Sequence, residues 1–385
     1  MTWLSHLDDE AAGRAAAGLR RELRPRGAGD GVIDLAGNDY LGLAIHPAVI
    51  AAAVTALREF GVGATGSRLV RGSTDLHRTL EQRLAAHLGT ETALVYSSGY
   101  LANVGAVRAL VGPGTLLISD AHNHASIVDG CRLACAGRMG REGAQTVIAP
   151  HASVDGIRAL LAGAGDRPKV VVTESVYSVD GDLAPLREIH EVCRAHGAVL
   201  MIDDAHGLGV RGPRGAGAVV EAGIAGEPDV VVTVTLSKSL GAAGGVVAGP
   251  AQLYRHLVDT GRTFIYDTAL PPAVAAAALA ALDLVQDGDA LRDEVAARGA
   301  AAVDRLRAAG LEVSTPDGGV ISVSAPSPEA AFAWAGACRD RGVAVGCFRP
   351  PSTPDGRSRL RLTINAGVPA DAFAEALDII VKVVS

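Results

Sequence analysis

The sequence predicts an α/β fold: a large domain on a mostly parallel sheet with helices on both faces, then a smaller α+β domain at the C-terminus. Three observations carry this. Between residues 93 and 248, seven short apolar runs alternate with stretches of helical periodicity, the pattern of βαβ units. Several runs are continuously apolar, as in Val170-Val171-Val172 and Val230-Val231-Val232, which marks strands covered on both faces. After a helical stretch from 272 to about 309 the pattern changes to more widely spaced strands and helices. The expected division is an N-terminal helix and arm over 1–45, a large domain over 46–288 and a small domain over 289–385.

Each element follows from local chemistry. Residues 5–23 read as a helix carrying Arg14, Arg20 and Arg21, ended by Pro25 and the glycines up to Gly31. Residues 34–43 are turn-rich. Helices are expected over 46–60 and 74–88, the second stopped by Gly89. Strands are expected over 93–96, 115–119, 146–149, 170–174, 198–203, 230–234 and 245–248. Helices over 100–111, 125–135, 154–162 and 185–196 fill most of the gaps. The small domain reads as strands over 311–314, 320–323, 343–347 and 360–364 with helices over 328–341 and 369–384.

Composition removes several classes of function. With 385 residues, 49% of them apolar, the chain can bury a large core. Its net charge of −7 and lack of a basic stripe speak against nucleic acid as a partner. No apolar stretch reaches the roughly 18 residues that a membrane span needs; the longest, over 273–285, is mostly alanine and holds Asp283. The first ten residues lack the charged-then-apolar layout of a secretory signal. The cysteines, Cys131, Cys135, Cys193, Cys338 and Cys347, are odd in number and scattered. Reduced thiols in a cytoplasmic protein are the expectation. No metal is expected. Cys131 and Cys135 lack a second pair, and His122-Asn123-His124 lacks a third ligand at metal spacing.

The chemistry concentrates at strand ends. Asp203-Asp204-Ala205-His206 closes one apolar run, and Thr235-Leu236-Ser237-Lys238-Ser239 closes another. In an open α/β sheet such ends form the ligand crevice. An acid, a histidine and a lysine converging there match the needs of pyridoxal phosphate, which takes a carboxylate on its ring nitrogen and a lysine on its aldehyde. Asp203 is the candidate for the ring nitrogen, while Asp204, one residue further out, suits a helix cap or a structural ion pair. Tyr96-Ser97-Ser98-Gly99-Tyr100 joins a strand to a helix and suits a phosphate. His124 opens a helix and suits stacking on a planar ring. Gly61-Val62-Gly63-Ala64-Thr65-Gly66 matches the dinucleotide fingerprint but follows a helix instead of a strand, so it reads as a substrate-facing loop. Arg359 and Arg361 share one face of a strand; one suits a surface charge, the other a carboxylate clamp.

Together these segments resemble the α-oxoamine synthases, a family of fold-type I, aspartate-aminotransferase-like pyridoxal-phosphate enzymes. The resemblance runs in order from Asn38-Asp39-Tyr40-Leu41-Gly42-Leu43 through Gly66-Ser67-Arg68-Leu69, Ser98-Gly99-Tyr100, His124-Ala125-Ser126, Glu174-Ser175-Val176-Tyr177-Ser178, Asp180-Gly181-Asp182, Asp203 to His206, Thr235 to Lys238 and Phe264-Ile265-Tyr266 to Arg361-Leu362-Thr363. It implies pyridoxal 5'-phosphate as cofactor, acyltransferase chemistry and a homodimer with the active site at its interface. Lys238 would form the Schiff base and move the substrate α-proton. Asp203 would hold the ring nitrogen, His206 the phenolic oxygen and His124 the ring face, with His124 also touching substrate. Gly99, Tyr100 and Thr235 would hold the phosphate, Thr268 would reach the phosphate of the partner subunit, and Ser178 would line the pocket. Asn38 and Arg361 would bind the amino acid, leaving Arg359 as the outward charge. Arg20 and Ser352 would meet the acyl substrate, with Thr353 the alternative hydroxyl. Asn38-Asp39-Tyr40, Leu19-Arg20-Arg21 and Arg349-Pro350-Pro351 favour the branch of biotin biosynthesis, which condenses L-alanine with a pimeloyl thioester on coenzyme A or a carrier protein. The alternatives are glycine with acetyl-CoA or succinyl-CoA, or a pyridoxal-phosphate aldolase.

Overall fold

The computed structural model describes residues 2–137 and 143–384. In chain order the strands are β1 (Ile33–Leu35), β2 (Thr92–Tyr96), β3 (Leu116–Asp120), β4 (Gln145–Ala149), β5 (Lys169–Glu174), β6 (Val199–Asp203), β7 (Val230–Thr235), β8 (Gly245–Gly249), β9 (Val320–Ala325), β10 (Val343–Phe348) and β11 (Ser358–Thr363). β2 to β8 form a seven-stranded sheet in the order β2-β8-β7-β6-β5-β3-β4. All its pairings are parallel except those of β8, which runs antiparallel to β2 and β7. The chain crosses from one side of β3 to the other between β4 and β5, so the crevice beyond β3 and β5 is a topological switch point.

Both faces of this sheet are covered, as the continuous apolar runs require. Leu200 and Ile202 of β6 belong to one core cluster, whereas Met201 between them belongs to another on the opposite face. The same alternation sends Asp203 to the Met201 face. Against that face pack the helices Gly99–Leu110 and Ala125–Cys135, whose Ala102, Ala106, Ile127 and Cys131 complete the second cluster.

β1, β10, β11 and β9 form a separate four-stranded sheet in that order. The helices Pro328–Arg339 and Ala370–Val384 contribute Cys338, Phe373, Ala376 and Ile380 to the core beside it. β1 pairs in parallel with β10 over Ile33 to Leu35, where the sequence predicts only turns. Three residues are too few for alternation to register. Three further boundaries differ. The N-terminal helix ends at Ala16, not at residue 23. Gly18 turns left-handed at φ +67°, and a side chain there would strike Glu329. The helical stretch from 272 divides at Asp287-Gly288 into Pro272–Gln286 and Asp289–Ala308. The strand expected over 311–314 is only a single bridge, Val313 to Val323. The fingerprint-like loop Gly61 to Gly66 joins the helix Pro47–Phe60 to a π-turn over Arg68–Gly72, with no strand before it.

Candidate active site

The cavity beyond the strand ends measures about 250 Å³ and is lined by residues from five segments, among them Gly99, His124, Glu174, Asp203, His206 and Lys238. β6 and β7 pair with Asp203 opposite Thr233, so both side chains face the helix Gly99–Leu110. From that helix Asn103 reaches back to both. Its Nδ2 donates to Asp203 Oδ2 at 2.6 Å and to Ser126 Oγ at 2.8 Å, and its Oδ1 accepts from Thr233 Oγ1 at 2.6 Å. Asp203 Oδ1 accepts from the Ala205 N–H at 3.0 Å. The carboxylate is thus aimed before anything binds. Asp204 faces the other way, is wholly buried and accepts from Ser175 Oγ and the Val219 N–H, the structural role expected of it.

Lys238 Nζ stands 2.8 Å from His206 Nε2, and His206 Nδ1 stands 2.5 Å from the Tyr40 hydroxyl. Burial drives the His206 imidazole well below its usual range, helped by the charges of Lys238 and Arg361, so it is neutral. Burial likewise pushes the Lys238 ammonium down to about 8, against the pull of Asp203. At that value the free amine is accessible near neutral pH, which a base requires.

Glu174 ends β5 beside Asp203 in register. Its Oε2 accepts from the Ser178 N–H at 3.1 Å, while Oε1 is buried without a partner. Burial, and then the neighbouring Asp203 charge, raise this carboxyl to about 8. His124 caps the helix Ala125–Cys135, with Nδ1 2.7 Å from Ser126 Oγ. Desolvation in the cleft lowers its imidazole, so it presents a neutral ring.

The phosphate end can be tested against the backbone. A Cβ on Gly245 would lie 2.4 Å from Ser98 O, and one on Gly99 would lie 3.2 Å from Thr235 Oγ1. The turn before the helix Gly99–Leu110 therefore presses directly on β7 and β8, leaving the first N–H groups of a twelve-residue helix at the cavity wall. Thr235 Oγ1 and Ser237 Oγ stand 2.7 Å apart at the same wall. Two hydroxyls, a helix N-terminus, a buried amine and an aimed carboxylate are the donor set that a phosphorylated pyridine aldehyde requires, so pyridoxal phosphate fits.

On β11, Arg361 is buried and donates from Nη1 to Asn38 Oδ1 at 3.0 Å, with its Nε unpartnered. Its guanidinium also lies 5.3 Å from the Phe348 ring centroid. Arg359 is not an outward charge. It is buried, with both Asp180 carboxylate oxygens within 2.7 Å of Nη1 and Asp355 on Nη2. β11 is an inner strand facing the 178–183 loop, so neither arginine on that face reaches solvent.

Several expected residues stand outside the cavity lining. Ser178 contributes its N–H to Glu174, and Thr268 is exposed and bridges to Ser67. At the acyl end Arg21, not Arg20, meets Ser352, with Nη2 2.9 Å from Ser352 Oγ. Arg20 points to solvent beside Glu22, because the chain has left the helix by Ala17 and helical phase no longer sets its direction. Ser352 is exposed, whereas Thr353 is buried with an unpartnered hydroxyl. The sequence reading misses Asn103 and Glu174 as site residues. Asn103 leaves one signal, an amide in the middle of an otherwise apolar helix face.

The model for aminotransferases of class I and II matches residues 30–380. The 8-amino-7-oxononanoate synthase of Mycobacterium sp. (strain JLS) is 52% identical over 382 residues, covering 99% of this chain and 97% of the relative. Serine palmitoyltransferase (SPT) of Sphingomonas wittichii superposes with a TM-score of 0.91 at 32% identity, covering 100% of this chain and 98% of that one. A solved structure of SPT with PLP superposes with a TM-score of 0.90 at 31% identity, again over 100% and 98% of the two chains.

Proposed function

The chain belongs to the class I and II aminotransferase family as a pyridoxal-phosphate-dependent α-oxoamine synthase, and from that premise we propose that it condenses L-alanine with a pimeloyl thioester. The thiol and CO2 leave, and the product is 8-amino-7-oxononanoate. The observation that carries the reading is the Lys238 amine, buried 2.8 Å from His206 in a cleft shared with Asp203. When bound, pyridoxal phosphate supplies the aldehyde that captures the amino acid and the ring that absorbs its α-electrons.

The roles of the chain's own groups follow from their chemistry. Asp203, fixed by Asn103 and the Ala205 N–H, holds a proton on the ring nitrogen. His206 would donate to the phenolic oxygen, and His124 would cover the ring. Gly99, Tyr100 and Thr235 would take the phosphate, and Ser178 would act on the pocket only through its N–H to Glu174. Arg361, with Asn38, takes the alanine carboxylate. Lys238 Nζ removes the α-proton and later returns one. Arg21 and Ser352 meet the acyl group, and Arg20 stands one residue away. Thr268 serves the phosphate of a second copy. A homodimer is supported by an apolar face left exposed among the described residues: Ile50, Val54, Leu57 and Phe60 on one helix, beside Val62, Leu69 and Val70.

Carboxyl-labelled alanine tests the reaction. Labelled CO2 is expected only when pimeloyl-CoA or a pimeloyl carrier protein is added, with poor turnover when glycine replaces alanine or acetyl-CoA replaces the thioester. Better turnover with glycine and a short acyl-CoA would move the chain to another branch. Cleavage of β-hydroxy amino acids without any thioester would make it an aldolase.

A further inference from the structure

Tyr40 is wholly buried, yet it touches two functional groups at once. Its hydroxyl lies 2.5 Å from His206 Nδ1 and beside the Arg361 guanidinium. The third polar atom nearby, Asn38 Oδ1, is 3.5 Å away and already accepts from Arg361. Arginine offers only donors, so Arg361 cannot take the single hydrogen of the Tyr40 hydroxyl. The well-placed acceptor for that hydrogen is His206 Nδ1.

We propose that Tyr40 is a positioning residue that fixes the His206 tautomer, placing the imidazole proton on Nε2, the nitrogen that faces Lys238. With Nδ1 occupied as an acceptor, a neutral His206 carries its hydrogen on Nε2. When Lys238 is the free amine, that N–H points at its Nζ at 2.8 Å and meets its lone pair. The titratable and charged groups facing His206 are Tyr40, Lys238, Arg361 and His124. Burial and the positive charge of Arg361 keep the ring from taking a second proton, and none of the four groups offers Nδ1 a donor that competes with the Tyr40 hydroxyl. The chain Arg361–Tyr40–His206–Lys238 thus links the carboxylate-binding arginine on β11 to the amine beyond β7. The two belong to different sheets. The space for this linkage is specific, since a Cβ on Gly319 would lie 2.4 Å from the Tyr40 ring.

The catalytic consequence rests on the reading of Lys238 and His206 given above; the tautomer itself does not. It is measured at a pH above about 8, where Lys238 is the free amine, on the cofactor-free full-length protein labelled with 15N-histidine, by long-range proton–nitrogen spectra, with His206→Gln identifying the resonances. The wild type is expected to show a protonated Nε2 and a bare Nδ1. Tyr40→Phe keeps the ring and removes the hydroxyl, and the two nitrogens should then move toward averaged shifts. In the loaded enzyme the same variant should lower kcat about three- to tenfold, the worth of one hydrogen bond, with less change in KM for alanine. A protonated Nδ1 in the wild type overturns the proposal, as does an unchanged pair of shifts in Tyr40→Phe. Should that variant fail to fold, the wild-type tautomer alone decides. Failure of the alanine reaction with the tautomer intact would strike the functional reading and spare this one.

Discussion

At the scale of the residue, the site depends on buried polar groups whose partners are fixed in advance. Asn103 is the clearest case, serving Asp203, Ser126 and Thr233 from one amide. Asn103→Ala removes one partner each from a buried carboxylate and two buried hydroxyls. It is expected to cost about 1–3 kcal/mol of stability, read by urea unfolding, and to weaken retention of pyridoxal phosphate against dialysis. Full stability and full retention would contradict the role assigned to it. Lys238, Asp203 and His206 were legible in the sequence because each closes or follows an apolar run, so their burial at a crevice could be inferred from pattern alone. Asn103 and Glu174 lie inside elements that pattern reads as ordinary core. Their meaning comes from strand register, Asp203 beside Thr233 and Glu174, which no local spacing reveals.

At the scale of the element, β11 holds two arginines with opposite tasks. Arg361 keeps an unpartnered Nε beside the site, while Arg359 is consumed by Asp180 and Asp355. Arg359 therefore ties the small sheet to the 178–183 loop. Arg359→Met leaves two partly exposed carboxylates near each other without their shared cation. The expected loss is about 1–3 kcal/mol, measured by denaturant midpoint at constant m. A loss below 1 kcal/mol would mean that solvent screens the pair. Period-two alternation correctly puts both arginines on one face. What it cannot tell is whether that face meets water or another loop, hence the misplaced outward charge. The same limit explains Arg20 and Arg21: once the helix stops at Ala16, side-chain direction depends on the path of the arm.

At the scale of the whole molecule, two histidines outside the cavity lining set opposite limits of pH. Burial, and then the charge of Arg68, push the His77 imidazole down from 6.5 to about 4, so it folds neutral. Its contribution is complete above 6.5 and is lost as pH falls toward 4, because only the unfolded chain takes up the proton. His151 behaves in the reverse way. Desolvation alone would lower it, but hydrogen bonds to Asp120 and Asp182 raise it from 6.5 to about 9. Its contribution is complete below 6.5 and is lost as pH rises toward 9. The melting temperature of the cofactor-free protein should therefore fall on both sides of 6.5, and His151→Gln should flatten the alkaline side alone. An unchanged alkaline slope in that variant would remove His151 from the explanation. The two-sheet architecture was legible from the seven apolar runs and the change of pattern after 272. The addition of β1 to the second sheet was not, being a pairing of distant segments only three residues long.

The most direct measurement concerns the α-proton. α-Deuterated L-alanine is incubated with the pyridoxal-phosphate-loaded enzyme in ordinary water, without any thioester, and deuterium loss is followed by mass spectrometry. Wild-type enzyme is expected to wash out the label, and Lys238→Ala, still holding the cofactor, to leave it in place. Equal washout by both would contradict the assignment of Lys238 Nζ as the group that carries the proton.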